Sequence, residues 1–259
     1  MLDQAHAVRT HESPVAVDIA VENVSARYDD SLVLNSVSFS VAAGERIGIV
    51  GRSGVGKSTL LGIISGLDEP ESGRVQVGDT SDPAGRLAHC VVMPQADCLL
   101  PWRNALENAV LALENQGLSR RAARAEADAL FVHLGLDGAQ ERTPNQLSGG
   151  MRQRVAFART VLARKPVLLL DEPFGALDTI TRYELQDWLR GYLLEAPSTV
   201  VLVTHDIEEA LVLCDRVLVF SVAGSLTEIA GFGSTATPRS DLISDSAFLA
   251  RRRTVLEEL

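Results

Sequence analysis

The apolar run Ile47-Gly48-Ile49-Val50 leads straight into Gly51-Arg52-Ser53-Gly54-Val55-Gly56-Lys57-Ser58-Thr59, and this junction constrains the fold more than any other stretch of the chain. A buried strand must end there, a glycine-rich loop must wrap an anion, and a helix must follow, which is the context of a phosphate-binding P-loop. Glycines at 51, 54 and 56 let the backbone bend so that successive N–H groups point inward at phosphate oxygens. The helix starting near Gly56 adds the positive end of its dipole. Lys57 is one of only two lysines in the sequence, and it holds the position from which an ammonium reaches the β and γ phosphates of a nucleotide. The Ser58 hydroxyl is placed to ligate the Mg²⁺ that joins the same oxygens.

The pattern around this junction is α/β. Short β-like runs at Val15 to Val24 and Leu32 to Val41, divided by the polar cluster Tyr28-Asp29-Asp30-Ser31, predict antiparallel sheet ahead of the loop. Helical character from Ser58 to Leu67 stops at the breaker cluster Asp68-Glu69-Pro70-Glu71-Ser72-Gly73. Short strands are expected at Gly73 to Val77 and Ala88 to Met93. From Trp102 to about Leu136 the composition turns to Ala, Leu, Arg and Glu, which predicts a helical insertion. Near-continuous apolar runs at Val167 to Leu170, Thr199 to Val203 and Arg216 to Phe220, separated by helical sequence, predict a parallel sheet covered on both faces. Gly231 to Ser240 reads as a loop, followed by a short charged helix to Leu259. No internal repeat is present.

At 259 residues and 46% apolar content the chain can fill a sizeable core. A net charge of -10 argues against a nucleic-acid partner, whose backbone is gripped by clustered Lys and Arg. Arg251-Arg252-Arg253 is read as a solvated helix face. Cys90, Cys98 and Cys214 are odd in number and lack metal-ligand spacing, which fits ordinary thiols in a reducing compartment. No run approaches ~18 consecutive apolar residues, and Met1 to Pro14 lacks the pattern of a secretory leader.

Val167-Leu168-Leu169-Leu170-Asp171-Glu172 is a strand ending in two adjacent carboxylates, and ligands of open α/β sheets collect at such ends. In a P-loop enzyme Asp171 suits the Mg²⁺ shell, and Glu172 suits orienting and deprotonating the attacking water. Adjacent acids at a strand end also serve as plain helix N-terminal charges.

Leu147-Ser148-Gly149-Gly150-Met151-Arg152-Gln153-Arg154 resembles the signature octet of ATP-binding cassette proteins. The resemblance spans Val17 to Phe220 in the family's order. It implies that Tyr28 stacks on adenine, that Gln95 is the Q-loop glutamine, that Asp178 is the D-loop aspartate and that His205 is the switch histidine. The implied cofactors are ATP and Mg²⁺, with Ser58, Gln95 and Asp171 on the metal and Glu172, His205, Lys57 and Gln95 in catalysis. The implied fold is a P-loop NTPase core, with an N-terminal antiparallel β subdomain and a helical subdomain carrying the signature. Ser148 with the Gly149 and Gly150 N–H groups forms a second anion-binding helix start, far from its own P-loop. A homodimer is therefore expected, each copy closing the other's site.

The stretch "LLPWRNALEN", with "FGALDTITRYELQDWL" and "FLARRRTVLEEL", resembles the ATPases of bacterial importers for nitrate, sulfonate, taurine and thiamine-precursor pyrimidines. That implies an integral membrane permease docking near Gln95 to Asn108, with Leu99-Leu100-Pro101-Trp102 either an apolar docking patch or local core packing. A solute-binding protein would act through the permease, and the chain would sit peripherally on the cytoplasmic side of the membrane. Arg52 stands where many such importers have proline. The expected organisation is a flexible tail over 1–14, an ATPase domain over 15–230 with its helical subdomain at about 98–160, and a C-terminal loop and helix over 231–259. The alternative is a soluble cassette ATPase not tied to transport. A GTPase is excluded because neither lysine stands in an Asn-Lys-x-Asp motif.

Overall fold

The strand leading into the P-loop, β3 (Arg46–Gly51), is buried along its whole length, as are β6 (Val167–Asp171) and β7 (Thr199–Thr204). Strands covered on both faces have no solvent side to mark with polar residues, which is why they read as unbroken apolar runs. In the computed structural model, which describes residues 15–28, 31–195, 198–220, 226–235 and 237–259, these three lie side by side. They belong to a six-stranded sheet ordered β5 (Cys90–Met93), β6, β7, β3, β8 (Arg216–Phe220), β9 (Leu226–Ala230). All pairings are parallel except β8 with β9. The register sets Ile49 beside Val203 on one side and Leu218 on the other, and Asp171 beside Val203.

A second, antiparallel sheet is ordered β2 (Ser31–Val41), β1 (Ile19–Tyr28), β4 (Ser72–Val77). Its first strand starts and ends about four residues later than the alternation suggests. Asn23 and Ser36 adopt positive φ (50° and 52°), and irregular register there breaks the period of two on which the boundary rests. The expected tail over 1–14 lies outside the described residues.

Helix α1 (Lys57–Ser65) follows the P-loop and ends on Gly66, whose φ of 83° and backbone contact with Pro83 leave no room for a side chain. Leu60, Leu61, Ile63 and Ile64 face a core shared by both sheets. Helix α2 (Pro83–His89) replaces the start of the strand expected from Ala88. Asp82 caps it through Gly85 N–H at 3.0 Å, and proline opens its first turn. The helical insertion comprises α3 (Ala105–Ala109), α4 (Leu111–Asn115), α5 (Arg120–His133) and α6 (Gly149–Leu162). Leu106, Leu113, Phe131 and Phe157 pack it against the sheet together with α7 (Thr179–Glu195).

Helix α8 (Ile207–Leu213) covers the β3 and β8 side. The C-terminal stretch adds the edge strand β9, the short α9 (Arg239–Leu242) and α10 (Ser246–Glu258). Residues 239 and 240, expected in a loop, therefore begin a helix turn. Phe248 and Val255 anchor α10 on Leu211 and Val212. Arg251 is not simply solvated: its guanidinium lies 4.1 Å from the Phe232 ring centre and donates to Gly231 O, while Arg252 pairs with Glu208.

Candidate nucleotide site

Three adjacent strands deliver the site. The P-loop leaves β3, the acids leave β6, and the histidine leaves β7, all at their carboxyl ends. Gly56 caps α1 in the left-handed region at φ 100°, and Gly54 does the same within the loop at φ 81°. A Cβ at Gly56 would stand 2.8 Å from Val33 Cγ1 and 2.9 Å from Val33 O, so the loop closes on β2 only with glycine there. The Lys57 ammonium, which lines the cleft, donates to Gly51 O (2.8 Å) and Arg52 O (2.9 Å), two of the three hydrogens it carries. Burial lowers its pKa, an effect opposed by the negative charges of Glu172 and Asp171.

The cleft above this lysine has a volume of about 320 Å³, and Val33, Ser53, Gly54, Gly56, Lys57, Ser58, Thr59, Gln95, Asp171 and Glu172 line it. The sequence-predicted phosphate cradle, Q-loop glutamine and acid pair thus converge. Val33 joins them without any warning in the sequence beyond its place on a strand. Glu172 sits at φ 49°, and its N–H donates to Val203 O at 2.9 Å, turning the chain sharply off the end of β6. This bend presents its carboxylate to the exposed His205, whose Nδ1 lies 2.7 Å from Glu172 Oε2. A carboxylate only accepts, so Nδ1 carries the hydrogen and Oε1 remains free to receive a proton. The Tyr28 side chain lies outside the described residues, although its backbone ends β1 opposite Ser31.

Ser148, Gly149 and Gly150 are not part of this cleft. Ser148 caps α6 through Met151 N–H at 3.2 Å, and Ser148 and Gly149 are exposed. The start of α6 is held by Arg152, which bonds Asp97 Oδ2 at 2.9 Å and Leu147 O at 2.9 Å. Asp178 caps α7 through Thr181 N–H at 3.1 Å, and that hydrogen bonding lowers its pKa. The run at 99–102 divides: Leu99 is buried in the core, whereas Trp102 is 75% exposed. Asn108, singled out by no motif, shapes this turn. Its fully buried amide accepts from Leu100 N–H at 2.7 Å and donates to the carbonyls of Leu100, Arg103 and Asn104.

A strand-ended glycine loop holding an ammonium, with two acids from the next strand but one, defines a P-loop nucleoside triphosphatase. The family described as ABC transporter matches residues 34–175. An aliphatic sulfonates import ATP-binding protein of Rhodococcus jostii is 48% identical over 209 residues, 80% of this chain and 81% of the relative. A formylaminopyrimidine import ATP-binding protein of Halalkalibacterium halodurans is 42% identical over 204 residues, 78% of this chain and 79% of the relative. A nitrate import ATP-binding protein of Synechococcus elongatus is 45% identical over 193 residues, 73% of this chain and 70% of the relative. Among solved structures, a dimeric ATP-binding cassette in a post-hydrolysis state with ADP and Pi superposes with a TM-score of 0.75 at 31% identity, covering 82% of this chain and 98% of the other. The chain belongs to the ABC transporter family. It is an ATP-binding, ATP-hydrolysing cassette of that family.

Proposed function

We propose that the chain is the ATPase subunit of a multi-subunit importer for a small solute, of the nitrate, sulfonate, taurine or thiamine-precursor type. It works as a homodimer beneath an integral membrane permease that receives solute from a binding protein. The observation carrying this reading is the division of the anion-binding parts. The loop at 51–59 and the acids share one cleft, while the helix start at Ser148–Gly150, with Ser148 and Gly149 exposed, does not line it. A second copy would bring its Ser148, Gly149 and Gly150 over the nucleotide, so that ATP joins the two chains and its hydrolysis lets them part.

Within the site, the backbone N–H groups of 51–56 and Lys57 would hold the phosphates, with Ser58 and Thr59 at the helix start. Glu172 Oε1 would take the proton of the attacking water, with His205 fixing the other carboxylate oxygen. Gln95 would help place that water, and Asp178 would meet the partner copy. Ser58, Gln95 and Asp171 offer only oxygen donors, which suits a hard divalent cation shared with phosphates. Among the described residues no group of three or more His, Cys, Asp and Glu could hold a metal alone. Mg²⁺, when bound with ATP, neutralises phosphate charge.

Trp102 edges a cleft of about 290 Å³ that includes Leu106 and Val110 at its base and Arg103, Glu107 and Arg120 around it. A largely charged cleft that includes two aliphatic residues and an exposed tryptophan suits a short amphipathic permease helix. Among the described residues no helix is long and apolar enough to cross a membrane. Residues 15–230 would form the ATPase domain.

Glu172→Gln tests the reading. It should bind ATP yet turn it over about a hundredfold or more slowly, and it should form an ATP-dependent dimer in light scattering. Wild-type turnover would move the base elsewhere, and an ATP-loaded monomer would sink the shared-site arrangement.

A further inference from the structure

Of the buried arginines, Arg46 is neutralised by Asp215 at 3.1 Å and Arg86 by Glu69 at 3.8 Å. Arg190 on α7 and Arg239 at the start of α9 are exceptions. They are 7% and 8% exposed, and among the described residues neither has a carboxylate within 4.0 Å. Their partners are neutral. Arg190 donates to the carbonyls of Thr235 and Thr237, and Arg239 donates to Gln186 Oε1 at 2.7 Å and stacks 4.1 Å from the Tyr183 ring centre. The Nε–H of each is buried with no acceptor. Buried guanidiniums supported only by neutral acceptors lack the compensating charge that burial calls for.

Both arginines border one cleft of about 690 Å³, within the usual size of a small-ligand site. Its wall is apolar: Tyr183, Leu194 and Ile243 are 39%, 50% and 39% exposed, with Pro238 beside them. Among the described residues Asp187 is the only acid on the lining, so two positive charges face one negative there. Burial lowers the Arg190 pKa against the pull of Asp187, and the like charges of Arg46 and Arg239 add to the lowering. The cleft lies between α7 and residues 235 and 237–243 and includes no residue of the nucleotide site.

We propose that this cleft binds a small organic monoanion, its carboxylate or sulfonate head toward Arg190 and Arg239 and its short aliphatic body along Leu194, Pro238 and Ile243. A guanidinium has five N–H hydrogens, and those not committed to Thr235 O, Thr237 O and Gln186 Oε1 can meet an anionic head in charge-assisted bonds. The exposed aliphatic wall supplies the remaining affinity by excluding water.

Pentanoate is the probe, with 1-pentanol carrying the body without the charge and inorganic sulfate carrying charge without the body. Calorimetric titration of the whole chain should show saturable pentanoate binding at one site, with both controls weaker by about tenfold or more. Arg239→Gln should weaken pentanoate by about tenfold or more. Leu194→Glu, at an exposed position, sets a carboxylate against the incoming anion and should weaken it comparably, while ATP affinity stays unchanged as a check on folding. No saturable binding by about 10 mM, equal binding of either control, or undiminished binding by both variants would each overturn the proposal.

Discussion

Replacing Glu209 by Gln should stabilise the protein as pH rises. Glu209 lies on α8, 3% exposed, with Oε2 accepting from Gln186 Nε2 at 2.9 Å and Oε1 without a partner. Burial first, and then the negative charge of Asp206, pushes its pKa up from 4.5 to about 8. Between those two values the folded chain binds a proton that the unfolded chain releases. Stability therefore falls with rising pH through this window and levels off above about 8. The slope for one proton is about 1.4 kcal/mol per pH unit, so at pH ~7.5 the wild type gives up about 4 kcal/mol at most relative to pH ~4.5. That is comparable with the whole margin of many domains, about 5–15 kcal/mol. Glutamine matches the shape, can still accept from Gln186, and does not titrate. Urea unfolding of both proteins at several pH values from about 5 to 9 gives their difference directly, with other titrating groups cancelling. The variant's advantage should grow up to pH about 8 and then stay constant. Parallel stability curves would show that Glu209 is charged in the folded protein and that the argument from burial fails.

Asn108→Ala should cost about 2–4 kcal/mol, since the bond its oxygen accepts and those its two amide hydrogens share among three carbonyls of the 100–104 turn disappear together, and calorimetry should register a melting drop of about 5–12 °C. A change below about 0.5 kcal/mol would mean that the turn holds itself. Gly56→Ala should cost about 1–3 kcal/mol and weaken ATP binding, because the new methyl meets Val33 at positive φ; unchanged affinity in a nucleotide titration would contradict this. Trp102→Glu should leave stability within about 0.5 kcal/mol and spare soluble ATPase activity while abolishing transport, so normal uptake by the reconstituted transporter would rule out its docking role.

The nucleotide cleft was legible because its parts are local. Strand, glycine loop and helix follow one another within twenty residues, and the acids sit at the end of an all-apolar strand whose only plausible setting is a covered sheet. The missed elements depend on longer-range or weaker cues. Strand β9 has only Ile229 buried, so its five residues carry no alternation, and pairing with β8 defines it. Helix α2 was missed altogether although Asp82 and Pro83 supply a start signal, and the strand expected from Ala88 begins two residues later, at Cys90. Asn108 and Gln186 look like ordinary helix polar residues, and only the partners brought to them by the fold reveal what they hold. Trp102 and Leu99 share one apolar run, yet one faces solvent and the other the core, a difference set by the turn that Asn108 ties.

The groups that would grip, metallate and hydrolyse the nucleotide stand at the ends of β6, β7 and β3, which are consecutive in the sheet. Neighbouring strands are spaced by backbone hydrogen bonds at about 4.8 Å regardless of side chain, so the breadth of the site, two such steps, is a backbone dimension. One aliphatic residue could exchange for another along these strands without changing the distance from Lys57 to Glu172. Evolutionary drift in the sheet interior and fidelity of the chemistry are thereby uncoupled. The freedom ends where each strand does, at the bends of Gly56 and Glu172, where backbone shape depends on the residue chosen.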